Sequence, residues 1–171
     1  LEGSKWEHVT IGGDENQFES PGGDLTVSLW ASNNGFIDNW QAMIAKGEGA
    51  SWRIARRANG QNVAFAGGGP EPTSSTNVTL NQLHHYLCTV DTTAGTANIY
   101  MDGVLVGSAS GTPNLNNNTL PLKIGANPGV GTMTRSWNGV IDDVAVWSRV
   151  LNEPERFLLY NGGTGFTVAD L

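Results

Sequence analysis

Turn-forming residues divide this chain into short segments in which apolar and polar residues alternate. One such segment runs from His84 to Val90, and another, over residues 96–101, ends at the pair Asp102-Gly103. An Asp-Gly pair between two apolar runs predicts a tight hairpin, because a type I′ turn needs positive φ at both central residues. About a dozen such segments, without alternating strands and helices, predict an antiparallel β-sandwich.

One segment near the C-terminus predicts a helix instead. Asn152 suits the N-cap position, Pro154 falls in the first turn, and Glu155 stands three residues after the cap. Gly162 follows as the predicted C-cap residue. We therefore expect a single all-β domain over residues 1–171, a two-sheet antiparallel sandwich with one short C-terminal helix.

The composition excludes several classes of function. The net charge is −7, only 15% of the 171 residues are charged, and no long basic run occurs, which argues against nucleic acids and anionic membrane surfaces as partners. No apolar run approaches the roughly 20 residues that span a bilayer. The single cysteine cannot form an internal disulfide bond. Because the chain begins at Leu1 rather than Met, we expect a mature protein or an excised piece.

Two adjacent histidines and the cysteine raise the question of a metal site or a nucleophile. His84 and His85 are neighbours in a predicted strand, so their side chains point to opposite faces and are unsuited to one metal ion. Cys88 shares a face with Val90 and is expected to be a small buried residue. These residues alone give little support for a catalytic Cys–His pair.

Three motifs occur in an order that is known from one protein family. They are His84-His85 at the start of a strand, the Tyr-x-Asp-Gly sequence of residues 100–103, and Gly-Val-Ile-Asp-Asp at residues 139–143. Together they resemble the laminin G-like branch of the concanavalin A-like lectin/glucanase superfamily, which includes the pentraxins. Leu83 stands where the family usually has Trp, and Glu2 stands in the place of an Asp. The resemblance extends over nearly the whole chain.

The resemblance implies a jelly-roll sandwich, found as a module of larger secreted proteins, that binds glycans or proteins and often holds a structural calcium ion. Strict alternation puts Asp142 on the same face as Val140 and Val144, so its carboxylate is predicted to be buried and in need of a partner. Asp142 would either accept hydrogen bonds from backbone N–H groups or a histidine, or hold calcium together with Glu2.

A glycan site needs an aromatic ring for the apolar face of a sugar and polar side chains for its hydroxyls. Trp40 and Trp52 lie at strand starts beside polar loops, with Asn39, Arg53 and Arg57 nearby. Alternation separates Trp52 from both arginines, so the Trp side and the Arg side are alternative sites, and the acidic chain favours the Trp side. Core packing of the tryptophans and ion pairing of the arginines are the structural alternatives.

The sequence lacks the Glu-x-Asp-x-x-Glu strand of the glucanases that it resembles. Hydrolysis of a glycosidic bond needs two facing carboxylates, so we expect no catalytic activity. The favoured function is that of an extracellular carbohydrate-binding module, monomeric as an isolated domain, with a polysaccharide or glycan as partner. A protein-contact module for adhesion or architecture is the alternative, and a divergent glycoside hydrolase or polysaccharide lyase is a third.

Overall fold

The computed structural model describes residues 7–12, 18, 20, 23–47, 51–66, 69–111, 115, 118–128 and 135–165. These residues form eleven strands, one α-helix and a short 3-10 turn at Asn161–Gly163. The strands and the helix are β1 (Val9–Ile11), β2 (Leu25–Asn33), β3 (Ala42–Ala45), β4 (Arg53–Arg56), β5 (Asn62–Ala66), β6 (Thr73–Asn77), β7 (His84–Asp91), β8 (Thr96–Met101), β9 (Val104–Ser110), β10 (Leu122–Ile124), β11 (Gly139–Trp147) and α1 (Glu153–Tyr160).

The strands form two antiparallel sheets. The six-stranded sheet has the order β1-β10-β3-β4-β5-β6, and the five-stranded sheet has the order β11-β2-β7-β8-β9. Every strand pair within these sheets is antiparallel. The prediction of an all-β, two-sheet jelly-roll sandwich with one short C-terminal helix is thereby confirmed.

The hydrophobic core lies between the two sheets. On β2 the residues Leu25, Val27 and Leu29 point inward, as their spacing of two predicts, and each is at most 1% exposed. The six-stranded sheet contributes Ile44 and Ile54 to the same core cluster. Fully buried residues of this cluster hold the sheets together chiefly by the hydrophobic effect.

Helix α1 begins and ends with well-formed caps. The Asn152 side chain accepts a hydrogen bond from the Glu155 N–H at 3.0 Å, and the Glu155 carboxylate accepts one from the Asn152 N–H at 2.8 Å. The left-handed C-cap is Asn161, with φ 46°, one residue before the predicted Gly162. Tyr160 at the end of the helix stacks on Trp30, so α1 lies on the outer face of the five-stranded sheet. Among the described residues, no helix reaches the length and apolarity that a bilayer crossing requires.

The two histidines occupy opposite faces of β7, as predicted. His85 faces outward, where its ring lies 5.1 Å from that of Trp30 and its Nε2 is 2.8 Å from Ser28 Oγ. His84 has the opposite orientation, and its Nδ1 is 2.7 Å from a carboxylate oxygen of Asp102 in the hairpin turn. The other Asp102 oxygen accepts the His85 N–H at 2.9 Å. One turn carboxylate thus fixes both histidines to the hairpin.

Burial decides the chemistry of two other groups on β7. Desolvation lowers the pKa of His85 to about 4, against a smaller opposing effect of Asp102, so the ring is neutral at pH 7. Cys88 is fully buried in the core, as predicted, and burial raises the pKa of its thiol well above the usual value. A buried, protonated thiol is a poor nucleophile.

Candidate functional site

Small side chains form the floor of the outer face of the six-stranded sheet. Ala42, Ala55 and Ala64 stand opposite one another across β3, β4 and β5. The adjacent row places Ala45 opposite Arg53. The alternate residues of these strands belong to the core, so the alanines face away from it. We call these three register partners the alanine row, and their small size lets large neighbouring side chains lie flat against the sheet.

Trp40 and Arg53 lie against this floor and contact each other. The Trp40 ring packs on alanines of β3 and β4, and the guanidinium carbon of Arg53 is 4.4 Å from the ring centroid. This distance is that of a cation–π contact. Arg53 is only 6% exposed, and desolvation lowers its pKa although the nearby Glu71 opposes this effect. Trp40 as a whole is half-buried, so this residue still reaches the protein surface.

The backbone of Trp40 is held in an unusual conformation. Its φ of 52° lies in the left-handed region, which bulky residues rarely adopt. The Trp40 N–H donates to the Ala58 carbonyl at 3.1 Å. Arg56 supports the preceding loop, because it donates to the Asp38 carbonyl at 2.6 Å and its guanidinium carbon lies 4.3 Å from the centroid of the Phe36 ring. Such strain persists only where surrounding contacts impose it, and it is common at binding sites.

An exposed ion pair borders the Trp40–Arg53 contact. Arg57 Nε lies 3.2 Å from Glu71 Oε1, so the arginine does pair with an acid of its own chain. The charge of Glu71 also acts on Arg53, which places Glu71 near both arginines. We call Trp40, Arg53, Arg57 and Glu71 the Trp40 cluster. Asn39 precedes Trp40 on the same loop and is exposed.

The sequence analysis did not identify Glu71 or the alanine row. Glu71 stands in an irregular Gly- and Pro-rich segment whose path across the sheet has no local sequence signal. The alanines at positions 42, 55 and 64 could have been noticed as small residues at strand positions. Their alignment depends on strand register, which the hydrophobic pattern alone did not define.

The prediction that Trp52 offers a stacking surface is wrong. Its side chain is 0% exposed and belongs to the core cluster, and its Nε1–H donates to the Phe18 carbonyl at 2.9 Å. Alternation correctly separated Trp52 from Arg53, but the face that carries Trp52 is the core. Trp40, which was grouped with Trp52, lies on the arginine side.

The prediction that Asp142 is buried on an apolar face is also wrong. A β-bulge interrupts the register of β11 between Asp142 and Ala145, and Asp143 in it has a φ of 47°. Ile141 packs on the core before the bulge and Val144 packs on it after the bulge, so the alternation changes phase. Asp142 therefore points outward and is exposed, and its Oδ1 accepts the Asp143 N–H at 2.9 Å.

Calcium binding stays a prediction of the sequence. Glu2 lies outside the described residues. Within the part of the chain that the structure describes, no cluster of three or more His, Cys, Asp or Glu side chains could hold a metal ion. Calcium takes six to eight oxygen ligands, and the adjacent carboxylates of Asp142 and Asp143 do not by themselves supply them.

Comparison with known families identifies the fold. Residues 3–155 match the laminin G group of the concanavalin A-like lectin/glucanases superfamily. The chain belongs to this superfamily. The resemblance seen in the sequence motifs is therefore confirmed, and the laminin G-like domain found here has the expected sandwich. A search of curated proteins gave no match.

Solved structures with the same fold include carbohydrate-binding proteins. A proposed carbohydrate-binding protein of Bacteroides ovatus has a TM-score of 0.70 and 21% identity, covering 86% of this chain and 42% of its own. The sialidase module CBM40 of Ruminococcus gnavus, bound to α2,3-sialyllactose, has a TM-score of 0.65 and 13% identity, covering 87% and 94%. Domain 4 of the Geobacillus stearothermophilus arabinanase AbnA, bound to arabinotriose, has a TM-score of 0.60 and 15% identity, covering 87% and 70%.

At these identities the likeness shows the fold alone. This laminin G-like domain spans 42% of the length of the Bacteroides ovatus protein.

Proposed function

We propose that this laminin G-like domain is a non-catalytic carbohydrate-binding module of an extracellular multidomain protein, and that it binds glycan at the Trp40 cluster. The observation that carries the proposal is the half-buried Trp40 ring, held in a strained backbone conformation on the outer face of a sheet. An aromatic ring on rigid support is what the apolar face of a sugar needs. The glycan-bound modules of similar fold support the ligand class.

The side chains around Trp40 supply the hydrogen bonds that a sugar requires. Arg57 offers N–H donors, Glu71 offers acceptors, and Asn39 offers both. Sugar hydroxyls both donate and accept hydrogen bonds, so a rim with donors and acceptors suits them. Because Glu71 is already paired with Arg57, the rim is not purely cationic, and we propose neutral glycans before acidic ones.

The proposal of a non-catalytic module rests on the carboxylates of the cluster. Glycoside hydrolysis needs a pair of carboxylates on either side of the scissile bond. Among the described side chains of the Trp40 cluster, Glu71 is the single carboxylate, and it is committed to Arg57 at 3.2 Å. The domain would act as a monomer that brings a larger protein to its glycan.

The test is a glycan array probed with the domain, followed by calorimetry on the neutral and acidic glycans that bind. Trp40→Ala should abolish binding while the circular dichroism spectrum and cooperative unfolding remain. The matched control is Trp147→Ala, since Trp147 is also half-buried but lies on β11 of the other sheet. Full binding by Trp40→Ala, or equal losses in both variants, would remove the Trp40 cluster from consideration.

A protein-contact function is the second candidate, and one observation favours it. Helix α1 buries none of its residues, and Phe157 and Leu158 on it are 64% and 54% exposed. Large apolar side chains that one helix leaves exposed are typical of interaction surfaces. If no glycan binds at all, this helix becomes the first surface to mutate.

A further inference from the structure

A cavity lies on the opposite side of the sandwich from the Trp40 cluster. It has a volume of about 200 Å³ and lies beside the end of α1, on the outer face of the five-stranded sheet. Its walls combine an indole, two carboxylates, one leucine and a glycine-rich turn. The lining residues are Trp30, Leu83, Asp142, Asp143, Gly163, Thr164 and Gly165.

The β-bulge in β11 places both carboxylates at this cavity. Asp142 and Asp143 are adjacent in the chain, and regular alternation would send their side chains to opposite faces. The left-handed φ of Asp143 breaks the alternation, and both side chains are exposed and line the same cavity. Neither carboxylate forms an ion pair with a lysine or arginine among the described residues.

Among the described residues that line the cavity, Trp30 is the single aromatic one. Its ring is covered by Tyr160 and His85, with centroid distances of 6.1 and 5.1 Å. Trp30 is 7% exposed, and an added Cβ on Gly165 would lie 3.4 Å from its Nε1, so the N–H edge of the indole faces the Gly165 turn of the cavity. Hence Trp30 can contribute a hydrogen-bond donor here but not a stacking face.

The buried tryptophans of the core differ from Trp30 in the hydrogen bonding of their indole N–H groups. Trp52 and Trp137 donate their indole N–H groups to backbone carbonyls at 2.9 and 2.8 Å. The Trp30 N–H has no such acceptor within the described residues. The Trp30 N–H is open to the solvent of the cavity rather than buried without a partner, so an acceptor oxygen of a ligand can replace a water molecule there.

We propose that this cavity binds a small amine-bearing, hydroxylated ligand such as a 2-amino sugar. The two carboxylates accept hydrogen bonds and favour a cation, and an ammonium group has three donors and no acceptor. The Trp30 N–H can donate a hydrogen bond to an oxygen beside that ammonium. A 2-amino sugar carries an ammonium group and a hydroxyl oxygen on neighbouring carbons. Leu83, 54% exposed, offers an apolar surface for ring C–H groups. A volume below the roughly 300–1,000 Å³ of drug-sized pockets limits the ligand to a small one.

The test follows the Trp30 indole N–H resonance by NMR in the whole chain, assigned through its proximity to Tyr160 ring protons. Titration with glucosamine at neutral pH should shift this resonance, and glucose should bind more weakly. Asp142→Asn and Asp143→Asn should each weaken glucosamine binding by about two- to fivefold, as expected for exposed charge pairs. Asn tolerates the left-handed conformation at position 143 and keeps an acceptor at position 142. Glu153→Gln, the same charge change outside the cavity, should leave the affinity unchanged.

Several outcomes would overturn the proposal. They are a Trp30 resonance that does not move, equal affinities for glucose and glucosamine, or an unchanged affinity in the double Asp variant. A shift with calcium chloride but not with glucosamine would also overturn it, and would support the calcium prediction for Asp142 instead. Trp40→Ala should leave the glucosamine response intact, so failure here and failure of the proposed glycan site are distinguishable.

Discussion

The outer faces of the two sheets each carry a tryptophan, but they surround it differently. On the five-stranded sheet, the rings of Trp30, His85 and Tyr160 pack against one another, and Tyr160 belongs to the last turn of helix α1. On the six-stranded sheet, Trp40 lies on alanines beside Arg53, and no helix of the described chain covers it. The first tryptophan packs against the end of the helix, and the second is the one for which we propose a glycan ligand. An aromatic residue on a sheet therefore takes its role from what packs above it.

The largest difference between the two faces should appear when each tryptophan is truncated. Trp30→Ala should cost about 3–5 kcal/mol of unfolding free energy, because it leaves a cavity between sheet and helix. Trp40→Ala should cost only roughly 1 kcal/mol, as is usual for partly exposed positions. Urea denaturation measures both. Equal costs would mean that Trp40 is as much a part of the scaffold as Trp30.

The covered face should also be sensitive to acid. The pKa of His85 falls from the ordinary 6.5 to about 4 in the folded protein, so protonation favours the unfolded chain. The stabilisation is complete above pH 6.5 and is lost as the pH falls towards 4, where the loss reaches roughly 3 kcal/mol. Because other groups titrate in this range, the quantity to measure is the difference between the wild type and His85→Gln. Parallel pH profiles for the two proteins would contradict the assignment.

Removing the N-cap of α1 should have a smaller effect on the free energy of unfolding. Asn152→Ala removes the side-chain acceptor for the Glu155 N–H and should cost about 1 kcal/mol. Asn152→Asp keeps an acceptor at the same position and serves as the control. Thermal unfolding measures the difference in stability between the two variants. The Asn152→Ala substitution should leave the glycan affinity of the Trp40 cluster unchanged.

The smallest effect on stability should come from the ion pair beside Trp40. Arg57 and Glu71 are both partly exposed, and such pairs contribute about 0.2–1 kcal/mol. Arg57→Ala should therefore hardly change unfolding but should weaken glycan binding, and Glu71→Gln should do the same. A large loss of stability with no effect on binding would identify the ion pair as structural. Trp40 would then remain as the proposed glycan contact without the ion pair.

Much of the fold could be predicted from the sequence because it rests on local signals. The Asp102-Gly103 turn, the alternation in β7 and the N-cap of α1 each act within a few residues, and each was confirmed, whereas the C-cap is Asn161 and not the predicted Gly162. One error, the burial of Asp142, arose where a single position changed the phase of a strand. At Asp143 an extra residue in the bulge reversed the faces that alternation assigns.

The candidate site was less predictable, because its residues come from separate strands and loops. Trp40, Arg53 and Arg57 were named from proximity in the sequence, but Glu71 required knowledge of how β6 approaches β4 across β5. Trp52 was misplaced because a tryptophan at a strand start has the same sequence pattern on either face. Strand parity sorts residues into two groups, and only the packing of the whole sandwich shows which group is the core.

The alanine row has a consequence for how this domain can change over evolution. The alanine row contributes only methyl groups, so, apart from Arg53 of β4, the surface above it is shaped by side chains that arrive from loops at the margin of the sheet. A change of loop sequence can then create a new ligand preference without a compensating change in the interior. The same separation makes the domain suitable for selection of new binding specificities from libraries that vary positions 39, 40, 57 and 71 while the strands stay constant.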